Sequence, residues 1–229
     1  MKIKRNPLII FGAGKIAEVA TYFFNRDSSY EVHAYVVDDA FLKEASFLNK
    51  PLIGLSSLEE TYSAQEYTIF IALGYQDLNN LRREKFFFFK ERGYQFASYC
   101  SPFVQGQFEY GVNTIIMDGA IIQAFTRLGN NVFVWGGALL GHHSEINDHS
   151  WLSGSSLIGG SAVVSESCFI GMGAIIGHEV KLGKECMIGA GTLILRNIDD
   201  YSVTLQQQTE ISRLNSSQFI RMSTCFMRP

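Results

Sequence analysis

The most regular feature of this sequence is a six-residue period in its large aliphatic side chains, which runs from Val104 to about Asp199. Stepping by six from Val104 reaches an aliphatic residue at every stop except Tyr110. The stops after Val104 are Tyr110, Ile116, Ile122, Leu128, Val134, Leu140, Ile146, Leu152, Ile158, Val164, Ile170, Ile176, Leu182, Ile188 and Ile194. The fourth residue after a stop is usually small or branched, and the first is often Gly. A period held over so many units indicates a repeat architecture.

Six-residue repeats of this kind predict a hexapeptide parallel β-helix. Each unit supplies one short strand and one corner, the aliphatic side chain fills the interior, and Gly relieves the turn. Three strands close one coil, so a rung takes about 18 residues, and successive rungs lie about 4.8 Å apart. An α-helix does not fit, because its repeat is about 3.6 residues.

The part before the repeat has short apolar runs separated by turns and helical stretches, which is typical of an α/β domain. The predicted elements are strand Leu8–Phe11, helix Ile16–Phe24, strand Val32–Val37, strand Thr68–Gly74, helix Asn79–Arg92 and strand Tyr94–Tyr99. We therefore predict a Rossmann-like α/β domain over residues 1–100, a parallel β-helix over 101–205 and a C-terminal cap or tail over 206–229.

A glycine turn joins the first strand to the first helix at Gly12, Ala13 and Gly14. Free backbone N–H groups at a helix N-terminus favour phosphate. Asp38 and Asp39 follow the second strand, where an acid can bind ribose or base. Because the motif is short, a tight turn with no ligand is the alternative.

The composition of the chain argues against several functional classes of protein. The chain has 229 residues, enough for two modest domains, and its formal net charge of -3 argues against a nucleic-acid or polybasic membrane surface. We expect a cytoplasmic protein, because Met1–Arg5 leads into a short strand rather than a secretory segment and no apolar run reaches membrane-spanning length. None of the four Cys forms a CxxC pair, and Cys168 and Cys186 are expected to stack as small core residues.

Candidate chemistry is concentrated in the segment Gly141–His149, which holds three of the five histidines. His142 falls two residues after the stop Leu140 and therefore at an outward-facing corner. Steps of 18 residues lead from His142 to Gly160 and His178, so these residues form one column. Two rungs separate the histidines by about 10 Å, too far to share one metal ion, and we expect no metal site in this column.

An exposed imidazole beside a glycine suits acyl transfer to an amine or a hydroxyl. Neutral His142 can take the proton of the nucleophile near pH 7. The backbone N–H of Gly160, one rung above, can approach closely enough to stabilise the oxyanion of a tetrahedral intermediate. The alternative is that these histidines are solvated turn residues or contacts within a trimer.

The segment Leu140–Asp148 resembles the Gly-His coils of left-handed β-helix acyltransferases. The Gly12–Gly14 turn, the strand ending at Gly74 and the Ser101-Pro102 step extend the resemblance to sugar acyltransferases that modify nucleotide-linked amino sugars or sialic acid. The resemblance covers the chain to about residue 205. It is specific for the fold and fairly specific for acyl transfer, but not for the substrate.

The resemblance implies a homotrimer with acetyl-CoA in the groove between neighbouring β-helices, no metal, and a place in O-antigen biosynthesis. His142 would be the general base, and the Gly160 N–H would bind the oxyanion and contact the cofactor. Met172 and the backbone amide of Ala190 would contact pantetheine. A UDP-, dTDP- or GDP-linked amino sugar would bind the α/β domain. Its implied contacts are Gly12, Ala13, Gly14, Asp38, Asp39 and Gly74.

Two features depart from the pattern of these relatives. His143 stands where they often carry an acid, which leaves Asp148 as the candidate to orient His142, on spacing alone. Gln206–Thr209 replaces the Gly-x-Pro-Ala turn that many of them place over the coenzyme.

The absence of an acid after His142 favours an amine, at C4 of the sugar, that attacks the thioester directly, because a hydroxyl needs more help from a base. One alternative is a sugar O-acetyltransferase of the sialic acid type. Another is a non-catalytic β-helix that binds nucleotide sugars. A third is a zinc β-helix using His142, His149 and His178 across a trimer interface, which would leave the α/β domain unexplained.

Overall fold

The computed structural model describes residues 5–226 and the side chains of residues 5–222. Its N-terminal part is an α/β sheet. The elements are β1 (Asn6–Phe11), α1 (Lys15–Asp27), β2 (Tyr30–Val37), β3 (Ser46–Phe47), β4 (Lys50–Gly54), α2 (Leu58–Thr61), β5 (Thr68–Ile71), α3 (Asn80–Glu91) and β6 (Gln95–Phe96), with 3₁₀ turns at Asp39–Phe41 and Leu55–Ser57. The strand order is β3-β4-β2-β1-β5-β6, and only the β3–β4 pair is antiparallel. The five parallel strands follow the order 3-2-1-4-5, which is that of doubly wound sheets.

The prediction missed β4 and misplaced one boundary. β4 is short and contains Pro51, which weakens a strand signal, yet it pairs with β2. The strand predicted at Tyr94–Tyr99 is divided in two. β6 pairs with β5, whereas β7 (Tyr99–Cys100) pairs with a strand of the repeat. The sheets of the repeat therefore begin before residue 101.

The repeat forms a parallel β-helix, and fifteen of its strands end on the predicted stops. They are β8 (Glu109–Tyr110), β9 (Ile115–Ile116), β10 (Ile121–Ile122), β11 (Arg127–Leu128), β12 (Phe133–Val134), β13 (Leu139–Leu140), β14 (Glu145–Ile146), β15 (Trp151–Leu152), β16 (Leu157–Ile158), β17 (Val163–Val164), β18 (Phe169–Ile170), β19 (Ile175–Ile176), β20 (Lys181–Leu182), β21 (Met187–Ile188) and β22 (Leu193–Ile194). Leu139 pairs with Leu157, eighteen residues further on, and this step builds three parallel sheets. The stop residues after Tyr110 are buried in one core, so the predicted interior is confirmed.

The corners show that glycine serves a different purpose from the predicted one. The third residue after each stop, from Asn113 to Gly191, has φ between 51° and 77°, and most of these residues are not glycine. The glycines directly after the stops do not have positive φ. A Cβ on Gly141 would lie 2.5 Å from the backbone N of Gly160. The prediction that these glycines relieve the turn is therefore wrong, since they allow adjacent rungs to approach each other.

The three faces of the prism differ in their outward side chains. One face packs against the N-terminal sheet through Phe133, Trp151 and Phe169. A second, which we call the apolar face, presents Ile121, Leu139, Leu157, Ile175 and Leu193. The third, the charged face, presents Glu109, Arg127, Glu145, Val163 and Lys181. The apolar face is uncovered among residues 5–222, where Ile121 is 55% and Leu193 59% exposed.

Arg82 of α3 joins the N-terminal domain to the prism. It is fully buried, and it donates hydrogen bonds to Asn131 Oδ1 (3.1 Å) and to the backbone O of His149 (2.9 Å). Its guanidinium lies 4.5 Å from the centroid of the Phe133 ring. Burial lowers the pKa of Arg82 to about 9. Because Arg82 belongs to the α/β domain and these partners belong to the prism, the contacts hold the domain against one face of the prism.

The chain after Asp199 leaves the period, as predicted. β23 (Val203–Thr204) adds one strand to the face under the N-terminal domain, and α4 spans Ser216–Phe226. The predicted helix is present, and its described side chains are exposed. Cys168 and Cys186 are buried free thiols in the core, as expected. None of the helices within residues 5–226 has the length and apolar composition that spanning a membrane requires.

Candidate active site

Two imidazoles converge on Gly160 at the corner between the apolar and charged faces. His142 and His178 are exposed, and their ring centroids are 6.2 Å apart. A Cβ on Gly160 would lie 2.8 Å from His142 Nε2 and 3.2 Å from His178 Nδ1. The predicted column is therefore present. The rings are closer than the predicted 10 Å spacing, because each leans into the space that Gly160 leaves.

Both the backbone and the ring of His142 contact neighbouring side chains. Its backbone N–H donates to Gln123 Oε1 (2.9 Å), and its Nδ1 lies 3.2 Å from His143 Nδ1. The His143 ring packs against Phe125 with centroids 4.9 Å apart. If Nδ1 of His142 carries the proton in this contact, Nε2 has a free lone pair directed toward Gly160.

Asp148 does not contact His142 within this chain, because its carboxylate is bonded to a different residue. Asp148 lies on the next corner, where its Oδ1 accepts a hydrogen bond from the backbone N–H of Asn130 (2.8 Å). Its Oδ2 accepts a second bond from Asn130 Nδ2 (3.2 Å). Asp148 was suggested by its short separation from His142 along the sequence. In the coil, one strand lies between the corner that carries His142 and the corner that carries Asp148.

The backbone N–H of Gly160 has no hydrogen-bond partner among the described residues. The equivalent N–H of Asn130, on the next corner, is occupied by the Asp148 carboxylate. The carbonyl of Gly160 accepts from the Glu179 N–H (2.9 Å), which holds the peptide in place. A free donor fixed beside an imidazole is what an oxyanion site requires.

Met172 and Ala190 stack one rung apart on a different corner from His142. Both are exposed, and a Cβ on Gly171 would lie 2.5 Å from the Ala190 backbone N, so the rungs approach closely there. The apolar face separates this corner from the corner of His142. Within one chain these two sets of residues therefore line opposite edges of the apolar face.

A cavity of about 240 Å³ lies at the glycine turn of the N-terminal domain. It is lined by Phe11, Gly12, Ala13, Val37, Asp38, Phe41, Leu73 and Leu81. Asp38 forms an ion pair with Lys85 of α3, a contact that the sequence did not indicate. The wall is mostly apolar, with one carboxylate at the end of β2.

The other residues predicted around this cavity have different positions. Gly14, Asp39 and Gly74 do not line it. The carboxylate of Asp39 accepts a hydrogen bond from Ser56 Oγ (2.7 Å) and so connects the two 3₁₀ turns. The Gly74 carbonyl accepts from Arg82 (3.2 Å). The N–H of Gly12 donates to the Val36 carbonyl and is not free for phosphate.

The zinc alternative loses one of its three ligands. His149 is buried under α3, and its Nδ1 lies 2.9 Å from Asn131 Nδ2. Burial lowers the pKa of His149 to about 4, so the ring is neutral and committed to the interior. Among the residues that the structure describes, no three His, Cys, Asp or Glu side chains are placed to hold a metal ion.

Comparison with known proteins gives matches in fold. Residues 161–196 match the family model described as bacterial transferase hexapeptide (six repeats), while no curated protein sequence matches significantly. The chain is similar to the acetyltransferase domain of PglB from Neisseria gonorrhoeae FA1090, with a TM-score of 0.79 and 22% identity, covering 88% of this chain and 97% of that one.

Two further solved structures share the architecture. A mutant of perosamine N-acetyltransferase from Caulobacter crescentus, in complex with CoA and GDP-perosamine, has a TM-score of 0.77 and 21% identity, covering 88% of this chain and 94% of that one. WeeI from Acinetobacter baumannii AYE has a TM-score of 0.74 and 16% identity, and the match covers 87% of this chain and 96% of that one. These matches confirm the resemblance to the left-handed β-helix sugar acyltransferases at the level of the fold.

Proposed function

We propose that this protein is an acetyl-CoA-dependent N-acetyltransferase that acetylates the amine, at C4, of a nucleotide-linked amino sugar. The observation that carries the proposal is the pairing at one exposed corner of His142 Nε2 with Gly160, whose N–H is unpartnered among the described residues. A base and an oxyanion donor one rung apart are the two groups that acyl transfer from a thioester needs.

In this proposal His142 takes a proton from the nucleophilic nitrogen as that nitrogen attacks the thioester carbonyl. The Gly160 N–H stabilises the negative oxygen of the tetrahedral intermediate. The carbon–sulfur bond then breaks, and the thiolate that leaves receives from His142 the proton that came from the amine. His143, rather than an acid, supports the His142 ring through the contact between their Nδ1 atoms.

The cavity at the glycine turn is proposed to hold the nucleoside of the nucleotide-linked amino sugar, which is the acetyl acceptor. Its apolar wall suits a base, and the carboxylate of Asp38 suits a ribose hydroxyl. The N–H groups of Ala13 and Gly14 have no partner among the described residues and lie at the start of α1, which suits a phosphate. In this reading the N-terminal part is a Rossmann-like nucleotide-sugar-binding domain.

The apolar face supports a homotrimer of left-handed coils. Its aliphatic side chains are uncovered in the single chain, and burying them against a neighbouring copy would be favourable. The His142 corner and the Met172 corner lie at opposite edges of this face, so the groove between two copies would combine one of each. Acetyl-CoA is proposed to lie in that groove, with its pantetheine along Met172 and Ala190.

Similarity of fold to sugar acetyltransferases supports the substrate class, and one of those structures holds GDP-perosamine. We further propose that the reaction takes place in the cytoplasm and supplies an acetylated sugar for O-antigen. The test is release of free thiol from acetyl-CoA on mixing with UDP-, dTDP- or GDP-linked 4-amino sugars. Thiol release is expected with an amino sugar and not with its 4-hydroxy analogue. Release only with hydroxyl sugars, or with none, would contradict the proposal.

A further inference from the structure

His178 is an exposed histidine that the proposed reaction has not yet used. Its Nδ1 and the Nε2 of His142 both face the position that a side chain on Gly160 would occupy, at 3.2 Å and 2.8 Å. Its Nε2 lies 3.3 Å from Glu179 Oε1. The second imidazole therefore has its own carboxylate partner, and its remaining ring nitrogen is directed at the point where His142 acts.

We propose that His178, supported by Glu179, is a second proton acceptor that prepares an ammonium substrate for attack. The proposal rests on the proposed function and adds to it. An aliphatic amine is mostly an ammonium ion near pH 7 and has no lone pair to donate. It must lose one proton before attack and a second one after attack, and two bases can divide these steps.

The protons balance in the following sequence. The substrate R–NH₃⁺ gives a proton to Nδ1 of His178 and becomes R–NH₂. The nitrogen lone pair forms a bond to the thioester carbon, and the carbonyl π pair moves to oxygen. His142 Nε2 takes one proton from the resulting R–NH₂⁺ group. The carbonyl re-forms, the carbon–sulfur bond pair leaves with sulfur, and the thiolate takes the proton from His142. His178 returns its proton to water.

The arrangement around His178 supports this division of roles. Its Nε2 lies 3.3 Å from the Glu179 carboxylate, whereas its Nδ1 is the nitrogen that faces Gly160. In the tautomer that carries the proton on Nε2, beside the carboxylate, Nδ1 has the lone pair that can accept a proton.

The charges around His178 are few. His142 faces it across Gly160, Glu179 lies beside it, and His143 is reached only through His142. Arg196 is the next position of the column, eighteen residues further on, whereas the carboxylate that lies within ion-pair distance of His178 is that of Glu179. His178 is thus flanked by one carboxylate and one imidazole ring.

The geometry also bears on the choice of substrate. A hydroxyl group is neutral before attack and has a single proton to lose, so it has no use for a second base. An amine is mostly protonated at every pH below its own pKa, and there it needs a second base to remove a proton before attack. The second imidazole therefore fits an amino sugar rather than a hydroxyl sugar.

The experiment is a pH profile of kcat/KM from pH 6 to 9.5, by thiol release, with GDP-perosamine or the amino sugar that gives the highest turnover. We expect His178→Gln to lose about tenfold or more at pH 6.5 and to come within about twofold of wild type at pH 9.5, where the free amine is supplied by solution. Glu179→Gln should give a smaller loss of the same form. His33→Gln, at an exposed histidine of β2, is the matched control and should follow wild type.

Other outcomes overturn the inference. A His178→Gln profile that parallels wild type would show that the ring takes no proton, and an equal loss at every pH would show that it only positions other groups. Because His178 is exposed, the fold should tolerate its replacement, and the melting temperature of each variant checks this. Failure of the proposed function looks different, since wild-type protein would then release no thiol with any amino sugar.

Discussion

At the scale of single residues, two glycines in neighbouring rungs carry different constraints. A Cβ on Gly141 would meet backbone, with the Gly160 N at 2.5 Å and the Gly159 carbonyl carbon at 2.7 Å. The three atoms nearest to a Cβ on Gly160 would be ring atoms of His142 and His178, which belong to exposed side chains able to move. The first glycine is needed for rung stacking, and the second for the space that the two imidazoles share.

This contrast gives a paired prediction. Gly141→Ala should lower the free energy of unfolding by about 1–3 kcal/mol, because the rungs must separate to admit the methyl group. Gly160→Ala should leave it unchanged but reduce kcat/KM about tenfold or more, because the methyl group displaces both rings. Denaturant unfolding and thiol release measure the two effects. Equal stability losses in both variants would contradict the assignment.

Removal of the proposed base, His142, gives a second prediction at this scale. His142→Asn should reduce kcat by about 10²-fold or more at every pH, the usual contribution of a general base. Thiol release in single-substrate kinetics measures the change, with His33→Asn as the control for loss of an exposed histidine. Turnover near that of wild type would remove His142 from the mechanism.

At the scale of elements, α3 docks on the prism through a ladder of buried polar side chains. Asn113 Nδ2 donates to Asn131 Oδ1 (2.7 Å), and Asn131 Nδ2 meets His149 Nδ1 at 2.9 Å. These three residues are eighteen apart and share the left-handed corner position. Arg82 enters the ladder from α3 with no carboxylate partner in the described chain. A charged His149 would place a second positive charge beside it.

The ladder predicts a pH dependence of stability. Burial lowers the pKa of His149 from 6.5 to about 4, so the unfolded chain binds a proton there before the folded chain does. The free energy of unfolding should therefore fall as the pH drops from about 6.5 to about 4, by up to about 3 kcal/mol. Urea unfolding at fixed protein concentration measures it. His149→Gln should flatten this part of the curve, and an unchanged slope would count against a neutral buried ring.

At the scale of the whole molecule, the prism has one face covered by the N-terminal domain, one charged and one apolar. Ile175, on the apolar face, is 41% exposed in the single chain. The proposed coenzyme groove needs the two edges of this face to belong to different copies. A substitution that prevents assembly is therefore expected to abolish activity as well.

A single charge on this face tests that link. Ile175→Glu should convert the proposed trimer to a monomer, because a buried unpaired carboxylate is strongly unfavourable, while the circular dichroism of the coil stays unchanged. Light scattering and thiol release should show both losses. Lys43→Glu, at an exposed position of the N-terminal domain, is the control and should remain trimeric. An active monomer of Ile175→Glu would separate catalysis from assembly.

The sequence by itself determined the coil, strand by strand, and the exposed corner that carries His142. It could do so because every six residues repeat one local rule, in which the aliphatic side chain points inward and the corner points out. The βαβ unit followed in the same way from the period of its apolar residues and its glycine turn. These features depend on residues close together in the chain.

Only the tertiary structure decided which side chains meet. The lean of His178 toward His142 depends on space left by Gly160, and the separation of Asp148 from His142 depends on a strand lying between two corners. The same holds for Arg82, which meets His149 from another domain. Such contacts join residues far apart in the chain, and no repeat period specifies the direction in which a side chain leans once neighbouring rungs are stacked.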